Sequence, residues 1–184
     1  LKTSTNLGEA TAFCYQDAGQ TFYVLSAPGM SSSYVYDASV GQWHERAELI
    51  DGDKAPWRAV VHVFAHGQHI VGDVDGGLYK LDTAAFTNDG DPLLRERTSP
   101  HASTTARRRV FFDLLRLNVE DGETASGINP VIELRYSDNA GKTFGDWQIR
   151  SLGEIGQFAQ PVEWRRLGAS RDRVWQIRTT ADAR

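Results

Sequence analysis

Three histidines stand close together in this sequence, His62, His66 and His69. On an extended strand positions 62 and 66 share a face, and Gly67 turns the chain before His69. Imidazoles so placed can ligate a transition metal, but no Cys, Asp or Glu stands at a spacing that completes the shell, so no metal is expected. Asp73-Val74-Asp75-Gly76-Gly77 opens like a calcium loop, yet an EF-hand needs Glu at its twelfth position, and that residue is Ala84. The segment reads instead as an Asp-Gly β-turn. Glu45 with Glu48, or Asp51 with Asp53, could serve as paired carboxylates for acid–base work; their setting reads as loop, so solvated surface is expected. Ser, His and Asp all occur without a Gly-x-Ser-x-Gly elbow, and neither Gly67-Gln68 nor Gly153-Glu154-Ile155-Gly156 is followed by the Gly-Lys-Ser/Thr of a phosphate loop. The single cysteine, Cys14, cannot form an internal disulfide and reads as a small buried hydrophobe. The sequence therefore predicts no catalytic, cofactor-binding or metal residues, and no enzyme.

The elements that carry these residues are strands. Hydrophobic residues make up 40% of the 184 residues, charged ones 24%, and glycine is frequent at 17, a composition for short strands and tight turns. No apolar stretch approaches the roughly 20 residues of a membrane span. Period-two alternation dominates. Runs 10–15 and 21–26 flank the turn Asp17-Ala18-Gly19, and runs 33–38 and 42–47 follow. Four more are expected at 57–65, 68–74, 78–82 and 93–98, and a third four at 109–119, 131–137, 145–151 and 174–179. In run 131–137, Val, Glu and Arg alternate with Ile, Leu and Tyr. Gly19-Gln20-Thr21-Phe22 parallels Gly67-Gln68-His69-Ile70 at an offset of 48, Tyr36-Asp37 parallels Leu81-Asp82 at 45, and His44-Glu45-Arg46 parallels Arg95-Glu96-Arg97 at 51. Four strands per 45 to 51 residues is the size of a propeller blade. The expected fold is all-β and β-propeller-like, with about three four-stranded antiparallel blades (sets 10–47, 57–98 and 109–180) of a larger propeller. The expected organisation is one domain or fragment over residues 1–184.

Between two of these strands lies Tyr136-Ser137-Asp138-Asn139-Ala140-Gly141-Lys142-Thr143-Phe144, which resembles the Asp box, Ser-x-Asp-x-Gly-x-Thr-Trp. Ser137, Gly141, Thr143 and Phe144 match, and Asn139 takes the Asp position. The role of such a turn is structural: a side-chain acceptor ties down turn amides, glycine permits the turn, and the aromatic plugs the blade. Asp boxes occur in sialidases, away from the catalytic centre.

Charge is unevenly spread. The net charge of −4 divides into −7 for residues 1–92 and +3 for 93–184, and sixteen of the basic residues are arginine, the type suited to bidentate pairing. A groove for nucleic acid would need a larger basic excess. Arg165, Arg166, Arg171 and Arg173 cluster near Trp164 and Trp175. Two readings are open: an intrachain brace, with Asp172 between Arg171 and Arg173, or a surface for docking a partner.

Two strings are more specific than β structure in general. One is Arg97-Thr98-Ser99-Pro100-His101, followed by Arg107-Arg108-Arg109-Val110-Phe111-Phe112. The other is Trp164-Arg165-Arg166-Leu167-Gly168-Ala169-Ser170-Arg171-Asp172-Arg173-Val174-Trp175. With Val35-Tyr36-Asp37, Trp43-His44-Glu45-Arg46 and the Ser137–Phe144 turn, they resemble, in order over roughly residues 10 to 180, the packaged-DNA stabilisation proteins of P22-like phages, also called tail accessory or head-completion proteins. The resemblance implies a structural virion protein with a β-propeller-like fold, located in the tail and assembled in the bacterial host cytoplasm. It also implies a hexameric hub below the portal and its adaptor ring, which carries the tail needle and tailspikes, closes the channel and retains packaged DNA without reading its sequence. Because that family's chains are longer, and this one starts at Leu1 and stops at Arg184, a C-terminal portion is expected. The alternatives are a glycan-binding or protein-interaction propeller and a sialidase-like glycoside hydrolase, the latter resting on the Asp-box-like turn alone.

Overall fold

The computed structural model describes residues 7–51, 53–119, 130–153 and 161–181. Glu154, Ile155 and Gly156 of the phosphate-loop comparison lie outside the described residues. Described segments are strands, turns and a 3-10 turn at Leu7–Glu9, so the fold is all-β. The chain divides into two compact units, Leu1–Asp91 and Pro92–Arg184.

The first unit is built from consecutive hairpins. Strands β1 (Thr11–Asp17), β2 (Gln20–Ser26), β3 (Ser33–Asp37), β4 (Gln42–Ile50) and β5 (Asp53–Pro56) form one antiparallel meander in that order. Strands β6 (Val61–Ala65), β7 (Gln68–Gly72) and β8 (Leu78–Lys80) form a second. The sequence parallel between the two holds at the level of turns. Ala18-Gly19 and His66-Gly67 each place two successive residues at positive φ (47° and 83°, 52° and 72°), the geometry of a two-residue primed turn whose twist matches the flanking strands. The Asp37 and Asp82 side chains each accept a bond from the amide two residues on, at 2.8 and 3.0 Å, to close an Asx turn.

The first sheet's inner face, Phe13, Tyr15, Phe22, Val24 and Val35, buries its centre with Trp57 and Leu81 packed on it. Phe13 and Tyr15 of β1 reach His62 of β6, with ring centroids 6.0 and 5.2 Å apart. Alternation places Cys14 on the opposite face, so it is exposed and not the buried hydrophobe expected.

The third sequence parallel breaks. Residues 95–98, expected as the fourth strand of the second set, form β11 (Arg95–Thr98) and pair with a strand near residue 177 in the second unit. The short pair β9 (Thr87–Asn88) and β10 (Asp91–Pro92) follows β8 instead. The expected strand 109–119 is likewise two strands, β13 (Val110–Phe111) and β14 (Leu114–Leu117), broken at Phe112 and Asp113.

In the second unit the remaining strands are β12 (Ala102–Ser103), β15 (Val131–Ser137), β16 (Gln148–Ser151), β17 (Val162–Arg165), β18 (Ala169–Ser170) and β19 (Asp172–Thr179). One sheet runs β11-β19-β15-β16, with β12 also on β19. Against it lie two short pairs, β13-β18 and β14-β17. Ile132, Leu134, Tyr136, Trp175 and Ile177 from the sheet meet Leu115, Leu117, Val162 and Trp164 from the pairs, so the unit is two-layered around one core. This is not the four-strand blade expected for 109–180: strands neighbouring in space are far apart in sequence.

Candidate functional site

The Asp-box-like turn follows β15. Ser137 Oγ accepts from the amides of Gly141 (2.9 Å) and Asn139 (3.3 Å), and donates to Asn139 Oδ1 (2.7 Å). Asn139 Oδ1 also accepts from the Thr143 amide at 2.9 Å, and its Nδ2 donates to Thr143 Oγ1 at 2.7 Å. The amide carbonyl therefore performs the acceptor work of the missing carboxylate. Ala140 and Gly141 take positive φ, and glycine is the residue that does so without cost. Phe144 does not plug a core as expected. It stacks with Trp147 on the Arg135 guanidinium, at 4.8 and 4.2 Å, over the polar face of the sheet.

The residue that links this turn to the second unit's interior is Arg173. It is 1% exposed, so it is not on a docking surface. Its Nε and Nη2 donate to both carboxylate oxygens of Asp138 (2.6 and 2.9 Å), Nη1 donates to the Leu167 carbonyl (2.6 Å), and the guanidinium lies over Tyr136, Phe112 and Trp175 at 4.0, 4.7 and 4.9 Å. A buried guanidinium is tolerated because each of its three nitrogens donates to an acceptor and aromatic rings pack against the group. Burial opposes ionisation of Asp138, but the bonds from Arg173 and Ser170 outweigh it and hold the carboxyl below the ordinary carboxylate range.

The expected brace thus exists with a different partner. Asp172 turns instead to His101, Oδ1 to Nδ1 at 2.7 Å. Asp138 escaped the sequence reading because it is the unspecified position of the turn motif; its single-residue offset from Asn139 was the only available signal.

Arg165, Arg166 and Arg171 are exposed, as a docking surface requires. Arg165 donates to Glu163, which Arg116 also engages; these two arginines hold the Glu163 carboxyl below its usual range. The two specific sequence strings are stitched together. Ser99 exchanges bonds with the Trp175 backbone, through its amide at 2.8 Å and its Oγ at 3.0 Å, while Phe112 and Asp113 bond the backbone of residues 166–168.

In the first unit two of the three histidines meet and the third stands apart. His62 Nε2 lies 3.0 Å from His69 Nδ1, and His69 Nε2 lies 3.8 Å from Asp17 Oδ1, whereas His66 occupies the hairpin turn. Among the described residues no group of three or more His, Cys, Asp or Glu is placed to hold a metal. Asp73 organises the Asp-Gly turn: Oδ1 accepts from the amides of Gly77 (2.7 Å) and Asp75 (3.0 Å), and Oδ2 from the Tyr79 hydroxyl (3.0 Å). Those bonds, led by Gly77, pull its carboxyl below the ordinary range. Glu48 was expected as solvated loop and is neither. It is buried on β4, and its Oε1 accepts from the Arg58 amide (2.9 Å) and Nε (2.7 Å).

No curated protein matches the chain. Residues 95–184 match a family model described as bacteriophage P22 Gp10, beta-sandwich. That match begins three residues into the second unit and agrees with its two layers. The chain is thus similar, over residues 95–184, to a beta-sandwich domain of a bacteriophage P22 protein.

Proposed function

We propose that this protein is a tail component of a short-tailed phage that helps close the portal channel and retain packaged DNA. The observation that carries the reading is the match of residues 95–184 to the P22 beta-sandwich, coincident with a separately packed unit. Retention in this reading is mechanical. A net charge of −4 disfavours tight binding along the DNA backbone, so the protein resists DNA exit as a rigid plug. Rigidity comes from turns tied by side chains and from a guanidinium fixed inside the core.

The first unit is read as propeller-like, supported by two consecutive meanders that share a primed hairpin turn and an Asx turn at matching positions. Copies join head to tail in a hexameric hub, assembled in the bacterial cytoplasm, with an acidic first half of one copy against the arginine-rich second half of the next. Arg165, Arg166 and Arg171 serve this contact or the contacts with the portal adaptor, tail needle and tailspike. A stop codon in the phage gene tests the reading. Particles should package DNA and then lose it, with retention restored by the protein supplied in trans. Stable, DNA-filled particles lacking the protein would refute it.

A further inference from the structure

The first sheet's meander has five strands, whereas the second stops at three and, among the described residues, leaves β8 as an edge. The run at the expected fourth position is bonded to β19 and cannot return. The register of β7 and β8 defines what this edge offers. Leu81 donates its amide to the His69 carbonyl and Asp73 donates to Gly77, so 69 with 81, 71 with 79 and 73 with 77 are the bonded pairs. The amides and carbonyls of Leu78 and Lys80 therefore point away from β7, outward.

Beside that edge lies a cleft of about 390 Å³ whose lining includes Trp57, Arg58, Val71, Tyr79, Asn88 and Asp89. Leu78 is 76% exposed there. The surroundings carry a net negative charge: residues 73–91 hold Asp73, Asp75, Asp82, Asp89 and Asp91 against Lys80, and Arg58, which also lines the cleft, pairs with Asp89 at 3.1 Å.

The second unit carries a segment of opposite character. Arg107, Arg108 and Arg109 are exposed, Phe111 is 72% exposed, and among the described residues β13 is paired on one side only, with β18. We propose that residues 108–111 of a second copy add to the outer edge of β8 as its fourth strand. Backbone bonds from Leu78 and Lys80 would supply affinity, Phe111 would cover Leu78 at the cleft, and the arginines would meet the aspartates. The contact is heterologous, so it extends from copy to copy without using up either surface. It rests on the head-to-tail assembly proposed above and specifies its surfaces.

A labelled peptide of residues 104–112, titrated into the full chain by fluorescence anisotropy, tests the contact. Wild type should bind, and added salt should weaken binding. Lys80→Pro removes an outward donor while leaving the bonds to β7 in place, and should weaken binding about tenfold. A peptide with the three arginines changed to glutamate should lose binding. Sedimentation velocity of the full chain should show self-association that both Lys80→Pro and the triple variant R107E/R108E/R109E abolish, with melting unchanged. Equal peptide affinity for wild type and Lys80→Pro, or self-association indifferent to both variants, would overturn the proposal. If the protein is still incorporated into particles in that case, the virion reading survives without this edge. Absence of the protein from purified particles would remove the virion reading while leaving peptide binding intact.

Discussion

Each unit stacks an arginine on three aromatic rings, and the two solutions differ in depth. In the first, Arg46 lies over Trp57, Phe22 and Tyr15 at 5.0, 5.3 and 5.5 Å and is only partly buried. The buried cluster beneath it is Tyr15, Val24 and Val35. In the second, Arg173 is enclosed, closer to its three rings, and clamped by Asp138. The topologies differ in the same sense. The first unit joins strands that follow one another in sequence; the second joins residue 95 to 179 and 115 to 164. Local hairpins hold register by their turns, so a shallow core suffices. A sheet assembled from distant segments lacks that help and needs a core that specifies it, here Trp164 and the Arg173 clamp.

Core truncation separates the units most strongly. Trp164 is fully buried at the centre of the second core, and Trp164→Ala should cost about 4 kcal/mol. Val35→Ala, at an equally buried site in the first, should cost about 2 kcal/mol, because fewer atoms are removed. Chemical denaturation of each variant measures both. Equal losses would mean that the second core can collapse around the missing indole and is not the specifying element.

The clamp gives the next largest effect. Arg173→Leu should cost about 3 kcal/mol: the Leu167 carbonyl loses its donor and Asp138 its partner, although Asp138 is 46% exposed and can rehydrate. Arg46→Leu should cost about 1 kcal/mol or less, since it retains apolar cover over the same rings. The clamp also makes an acid prediction. The Asp138 carboxyl titrates lower in the folded chain than in the unfolded one, so its stabilisation is complete above the ordinary carboxylate range and is lost as pH falls through the depressed folded value. Asp138→Asn should remove that part of the acid unfolding curve.

How legible these features were in the sequence follows from the same contrast. The Gly19 and Gly67 parallel and the Asp37 and Asp82 parallel were readable because hairpin and Asx turns are local, fixed by two or three adjacent residues. Arg95-Glu96-Arg97 matched His44-Glu45-Arg46 equally well as a string, yet the strand pairs elsewhere, because nothing local decides between partners tens of residues away. Alternation in 131–137 sets Ile132, Leu134 and Tyr136 apart from Val131, Glu133 and Arg135, and the structure turns the first set to the core. The run 109–119 shows the limit: Phe112 and Asp113 break it by bonding to residues 166–168, a long-range event. For the turn, residue types gave the acceptor scheme from Ser137 to Thr143, but Asp138 gains its role only from Arg173, thirty-five positions on.

Mild acid should act on the first unit by a smaller amount and in a different window. Burial, then the neighbouring His69, lowers the affinity of His62 for a proton, and burial followed by Arg46 does the same for His44. Folded values below the unfolded value of about 6.5 mean that the unfolded chain binds more protons. Stability from these groups is therefore complete above that pH and declines as pH falls toward the folded values. Asp17 beside His69, Arg46 over Tyr15 and Asp37 near His44 are charges that face this cluster. Trp57 packs on the same aromatic core, so its fluorescence should report loosening before any carboxylate titrates. His62→Gln should flatten the response; an unchanged response would locate it outside the contact between β1 and β6.

The smallest effect on stability is expected at the exposed arginines, and it carries the most functional information. Arg165 is 69% exposed and shares Glu163 with Arg116, so a remaining cation still neutralises that carboxylate when Arg165 is lost. Arg166 takes a positive φ of 59° in the turn, where its side chain is exposed. Arg165→Glu, Arg166→Glu and Arg171→Glu should each leave the melting temperature within about 2 °C of wild type, as substitutions at exposed sites usually do. If these arginines meet a neighbouring subunit or tail protein, the same variants should slow incorporation into particles, and the defect should be mimicked by added salt. Normal incorporation of all three, with melting unchanged, would make them solvated surface and leave Arg173, the buried member of the cluster, as the one arginine among the four whose position the fold requires.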